Sequence, residues 1–314
     1  MYTDKLYKYK KEDLLIFIIS SIRVGDIHTA ITAGETLKND TKLYSEFLYN
    51  LGNHYKEIDN LNDAISCYND IIIKCPNTKY VEMAMISISE INIQKKMYKK
   101  AIGIVSEVKS KKHFTKKISL IIISYFKTGK SKKAITLTKN NTGILLRSPH
   151  GEVVMKANLL YYYGRSSLGK FNRYARYLKR YKGNSQLVSY YTGKIYYRLK
   201  KFKKSYYYFY KLSLTDNNYR EEVLYYLGKI SLFVYRKTSQ AIKYFNELIL
   251  SGEVSEYNIY RRKAQIELAI IYNETERKGK SKIILDEIIN GNGSSIYNSQ
   301  ATNLKESFRL KSAN

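Results

Sequence analysis

The chain has 314 residues with 55 Lys and Arg against 27 Asp and Glu, a formal net charge of +28. Only two prolines and 16 glycines interrupt it, so long stretches are free of helix breakers, and no period-2 alternation points to strands. The four histidines, His28, His54, His113 and His150, are scattered without ligand spacing, which excludes a histidine-built metal centre.

In chain order, Lys10-Lys11 precedes an apolar run over 14–22 that has the look of a signal-peptide core. It is too short to span a bilayer and no small-residue cleavage site follows. It runs directly into Gly25-Asp26-Ile27, so it reads as the first helix of a hairpin. The clearest hairpin follows, in Leu51-Gly52, Tyr55, Ala64, Tyr68, Ile71 and Pro76. Gly52 and Ala64 offer small residues where two antiparallel helices approach, and the larger side chains fill the space at helical intervals. Pro76 stops the second helix. Cys67 and Cys75 lie eight apart on that helix, neither a metal nor a redox spacing, and are expected to be reduced thiols.

The small residue on the second helix recurs as Ala30, Ala64, Ala101, Ala134, Ala175, Ser205, Ala241 and Ser281, spaced 34, 37, 33, 41, 30, 36 and 40 apart. With the hairpin residues above, this spacing resembles the tetratricopeptide (TPR) repeat over residues 11–295. The resemblance implies an all-α, right-handed α-solenoid of about eight TPR-like hairpins with a C-terminal capping helix. A solenoid grows around one continuous core, which argues against reading the length as two separate globules. Front repeats are expected over 1–139 and back repeats over 153–295. Between them, residues 140–152, with Asn140-Asn141, two glycines and Pro149, read as a hinge loop. After Gly291-Asn292-Gly293, residues 296–314 read as a solvating cap whose packed face is Ile296, Ala301, Leu304 and Phe308.

The charge is uneven. Residues 108–215 hold 26 Lys and Arg against one acid, Glu152, leaving 29 basic and 26 acidic residues for the rest. A near absence of acids across three repeats asks for an anionic partner. In a TPR the first helix of each hairpin lines the concave groove. The resemblance, with a glycine at the small position, puts Tyr49 and Asn53 around Gly52, and Tyr161 and Arg165 around Gly164. By the same reading Tyr190 and Lys194 flank Gly193, Tyr225 and Lys229 flank Gly228, and Tyr197 and Arg198 extend the face by a turn. Tyrosines beside cations suit an extended anionic ligand, through ring area and charge-assisted hydrogen bonds. The competing reading is that the rings pack between helices while the cations reach water.

The chemistry of catalysis finds no purchase. Gly164 through Lys170 satisfies a phosphate-loop spacing until Phe171 stands where Ser or Thr is required, and no strand precedes it. Paired carboxylates are missing from the basic middle. The carboxylate clamp of some TPR proteins does not carry over, because Leu15 and Ile19 occupy the positions where its Lys and Asn are wanted. The expectation is a cytoplasmic, non-enzymatic adaptor or scaffold without cofactor, metal or small-molecule substrate, holding an acidic protein segment in the basic groove. RNA or single-stranded DNA on the same surface is the alternative, and docking on an anionic membrane surface is the third reading.

Overall fold

The computed structural model describes residues 10–250, 259–291 and 295–313, and every regular element among them is a helix. The helices pair in chain order. In the first four hairpins α1 (Lys11–Val24) pairs with α2 (Ile27–Glu35), α3 (Thr41–Glu57) with α4 (Leu61–Lys74), α5 (Tyr80–Gln94) with α6 (Tyr98–Ser106), and α7 (Phe114–Lys127) with α8 (Ser131–Leu145). In the next four α9 (Gly151–Gly164) pairs with α10 (Leu168–Leu178), α11 (Ser185–Arg198) with α12 (Phe202–Ser213), α13 (Arg220–Phe233) with α14 (Thr238–Leu250), and α15 (Ile259–Glu274) with α16 (Lys278–Asn290). A last helix, α17 (Ser295–Ala313), follows. Eight hairpins and a terminal helix are the expected TPR-like α-solenoid. By internal contacts the chain divides into residues 1–158 and 159–314, a boundary inside α9.

One local device starts every hairpin. Each first helix is followed, within three residues, by a residue in the left-handed region: Gly25, Asp59, Lys96, Gly129, Ser166, Lys200, Arg236 or Glu276. That residue reverses the chain, and the next one caps the second helix. Six of the eight carry a Cβ that the conformation disfavours. Lys96→Gly is therefore expected to stabilise the fold by roughly 0.5–1 kcal/mol, read from the urea midpoint.

The small anchor lies four residues past each cap. Ala30, Ala64, Ala101, Ala134, Ser205, Ala241 and Ser281 are all buried there. The fifth hairpin departs from expectation. The N–H of Phe171 donates to the Ser167 carbonyl at 2.9 Å, just as Ala64 donates to Asn60 and Ser205 to Lys201, so Phe171 and not Ala175 is the anchor. The spacings of 41 and 30 thus become 37 and 34. Ala175 sits one turn later, and its small size drew the sequence register toward it.

Twelve residues before the anchor, thirteen in the seventh hairpin, comes the small position of the first helix. It is Gly52, Ser89, Gly193, Gly228 and Ala269 in five hairpins, but Ile18, Ile122 and Leu159 in the other three. Size is exchanged across each pair. Where the first helix is small, the second helix supplies Tyr68, Val105, Phe209, Phe245 or Leu285 one turn past its anchor. A Cβ on Gly52, Gly193 or Gly228 would lie only 2.8, 2.5 or 2.4 Å from the ring of Tyr68, Phe209 or Phe245. Where the first helix is large, the second has Gly34, Thr138 or Ala175. Gly52, Gly193 and Gly228 therefore make room for a ring, rather than only for close backbones. Close approach occurs as well, since the Ser205 hydroxyl donates to the Gly193 carbonyl at 2.9 Å and Ser281 to Ala269 at 2.8 Å.

Three expectations meet local corrections. The irregular stretch over 140–152 is mostly helical: residues 140–145 complete α8, residues 151–152 open α9, and only 146–150 connect them. In α17, Ala301 is fully buried with Tyr297, Leu304 and Phe308 packed around it, but Ile296 is 72% exposed and not on the packed face. The sequence puts Gly169 at the turn between two helices, but it lies inside α10, so the phosphate-loop lookalike spans a helix end, a turn and a helix start. Asn292 and Gly293 lie outside the described residues. The apolar run over 14–22 is part of α1, which buries Leu14, Leu15, Ile18 and Ile22 in the first hairpin. No described helix is long and apolar enough to cross a membrane. Cys67 and Cys75 are buried free thiols, and burial pushes Cys67 up to about 12, leaving it a poor nucleophile.

Candidate functional site

Three of the expected groove tyrosines share one register. Tyr49, Tyr190 and Tyr225 each stand three residues before Gly52, Gly193 and Gly228. Each ring meets a tyrosine at the start of the following first helix: Tyr49 is 5.4 Å from Tyr80, Tyr190 is 4.1 Å from Tyr219, and Tyr225 is 5.8 Å from Tyr260. These contacts run from one hairpin to the next, so the rings act as inter-repeat packing. Tyr197 is engaged likewise, 5.4 Å from Phe202 and 4.7 Å from Tyr226.

The polar residues beside them are also engaged. The Asn53 side-chain oxygen accepts from the Tyr68 hydroxyl at 2.7 Å. Lys194 forms an ion pair with Glu222 of α13 at 2.7 Å and donates to the Tyr190 hydroxyl at 3.0 Å. The Tyr190 hydroxyl in turn donates to Glu222, as does Tyr260. Lys229 pairs with Glu267 of α15. Arg198 reaches back to the end of α9, donating to the Tyr163 carbonyl at 2.8 Å and lying 4.3 Å over the Tyr163 ring. In the first unit, Glu90 of α5 sits between Lys56 of α3 and Lys116 of α7. First helices are thus stitched together by carboxylates, which engage Lys194 and Lys229 of the cations expected to hold a ligand.

Tyr161 and Arg165 do not belong to this register. Gly164 is the last residue of α9 and not a small position; a Cβ there would meet nothing within 4 Å. The equivalent residue is Leu159, flanked by Lys156 and Leu160. Arg165 is exposed, with its guanidinium 4.8 Å over Tyr161.

The carboxylates of the stitching have a measurable signature. Burial raises the carboxyl of Glu90, but hydrogen bonds and charge from Lys116 and Lys56 outweigh it and leave the group below its ordinary 4.5. For Glu222, burial is again outweighed, here by Lys194, Tyr190 and Tyr260. With the folded values lowered, the unfolded chain binds more protons in acid. The contribution is therefore present above about pH 4.5 and is lost as pH falls through the folded values. The urea midpoint is expected to drop between about pH 5 and pH 3, and Glu90→Gln with Glu222→Gln to flatten that drop.

Cations outside any ion pair lie on second helices, on first helices and in the connections between them. Of the 26 cations in 108–215, only Lys116 and Lys194 are in ion pairs among the described residues. On α10, Lys170, Arg173 and Arg176 recur at three-residue intervals along one exposed face, and Arg180 continues it past the helix end. Beneath them Phe171, Tyr174 and Leu178 are buried, so packing fixes the direction of the stripe. The sequence held this signal in the i, i+3 spacing, but the misplaced anchor at Ala175 hid which face of α10 is outward.

No protein-family model and no curated protein matches the sequence. Solved structures do match in fold. The C-terminal part of a TPR repeat-containing protein from Cytophaga hutchinsonii superposes with a TM-score of 0.63 at 16% identity, over 81% of this chain and 98% of that one. The apo form of the quorum sensor NprR from B. thuringiensis superposes with a TM-score of 0.52 at 15% identity, over 90% of this chain and 89% of that one. The chain has the TPR-like α-solenoid fold.

Proposed function

We propose that the chain is a non-enzymatic interaction scaffold that grips an acidic segment of a partner protein through its basic middle. The single observation behind this is the uncompensated charge: across 108–215 the cations outnumber acids by 26 to one and almost all lack a carboxylate. The docking surface favoured is the exposed Lys170, Arg173 and Arg176 stripe of α10, because the Tyr190, Lys194, Tyr225 and Lys229 ladder is occupied within the fold. Arg165, exposed at the end of α9, is available as well. An extended acidic segment would meet these cations with charge-assisted hydrogen bonds, and salt would screen the encounter. The buried free thiols of Cys67 and Cys75 support a reducing, cytoplasmic setting.

The test is capture of acidic proteins from native lysate after nuclease treatment, by the parent and by Arg173→Glu with Arg176→Glu. The parent is expected to retain one stoichiometric acidic protein, and the variant to lose at least about tenfold in affinity at unchanged helical content. Equal capture by the two would overturn the reading.

A further inference from the structure

A second basic feature, apart from the α10 stripe, lies in the second unit. The end of α11, the start of α12 and the turn after α13 enclose a shallow open cleft of about 750 Å³. Four lysines line it, Lys200, Lys201, Lys203 and Lys204, and no carboxylate among the described residues does. Apart from Val234, the rest of the wall is aromatic. Tyr196 and Tyr208 lie nearly parallel at 5.8 Å, and Tyr207 stands perpendicular to Tyr208 at 5.4 Å. Lys204 is 5.6 Å over Tyr196 and Lys211 is 4.7 Å over Tyr207.

Two physical points narrow the ligand. Four ammonium groups held within five residues repel one another, and a bound anion relieves that. Lysines alone would satisfy the carboxylates of an acidic peptide, whereas a nucleotide adds a base with a flat face that stacks on an exposed ring. Here Tyr207 is 52% exposed, a ring surface left in water beside two exposed cations, Lys203 and Lys211. A ligand that alternates negative charge with planar apolar faces uses both features, and that description fits a nucleotide strand whose bases are free to stack. A duplex hides its base faces. We infer that this cleft binds single-stranded nucleic acid, with phosphates on Lys200, Lys203 and Lys204 and a base stacked on Tyr207. This site is independent of the acidic-segment surface, since the two share no residue.

The test is fluorescence anisotropy of the full chain with a labelled oligothymidylate, across salt from about 50 to 200 mM. Saturable binding is expected. Tyr207→Ala should weaken it about tenfold while Tyr207→Phe, which keeps the ring, should not. Lys200→Gln with Lys203→Gln should weaken it and flatten the log–log salt slope by about 1.4, or ~0.7 per lost phosphate contact. Arg173→Glu with Arg176→Glu should leave it within about twofold, which separates failure here from failure of the scaffold reading. The inference is overturned by absent binding at low salt, by unchanged affinity in Tyr207→Ala, by equal binding of a blunt duplex, or by equal binding of polyglutamate. The last outcome would make the cleft an acidic-peptide site.

Discussion

Gly193→Leu is expected to destabilise the second unit by about 3 kcal/mol, because its Cβ alone would lie 2.5 Å from the Phe209 ring. That ring is fully buried and stacked on Tyr226 at 5.1 Å, so it cannot swing aside. Phe209→Ala is expected to cost about 3–5 kcal/mol through the cavity it leaves. The double variant should not cost the sum. It reproduces the arrangement of the fifth hairpin, where Leu159 stands in the glycine's place and Ala175 in the ring's. A coupling of about 2 kcal/mol is expected, measured by urea unfolding of the four members of the cycle. Strict additivity would mean that the exchange of size between hairpins is incidental.

Lys194→Glu is the second large effect, at about 3 kcal/mol of lost stability. The Lys194 and Glu222 side chains are only 18% and 14% exposed, and the change would set two carboxylates against each other and leave the Tyr190 and Tyr260 hydroxyls competing for them. Arg176→Glu, on an exposed face without a partner, should change stability by less than about 0.5 kcal/mol. The contrast bears directly on function. A variant of Lys194 or Lys229 that loses a partner while keeping its urea midpoint would return these residues to the ligand-binding role the sequence suggested.

The repeat was legible because its signals are local. The turn residues, the caps and the small anchors are set by neighbours within one hairpin, so their spacing along the chain reveals the architecture without knowledge of any distant contact. The excess of cations over 108–215 is legible for the same reason, since counting needs no geometry. The fifth hairpin is obscured in the sequence because its anchor is the large Phe171, while the small Ala175 stands one turn later. The internal partners of the tyrosine ladder are hidden from the sequence for a similar reason. Tyr190, Lys194 and Glu222 are brought together by the packing of one hairpin on the next, at a separation of about thirty residues that no local pattern encodes. Sequence alone thus determined that the chain is a stack of helical hairpins with a basic middle. Which cations remain free for a partner was decided only by tertiary structure, because a charge is spent or spared according to what the neighbouring repeat places beside it.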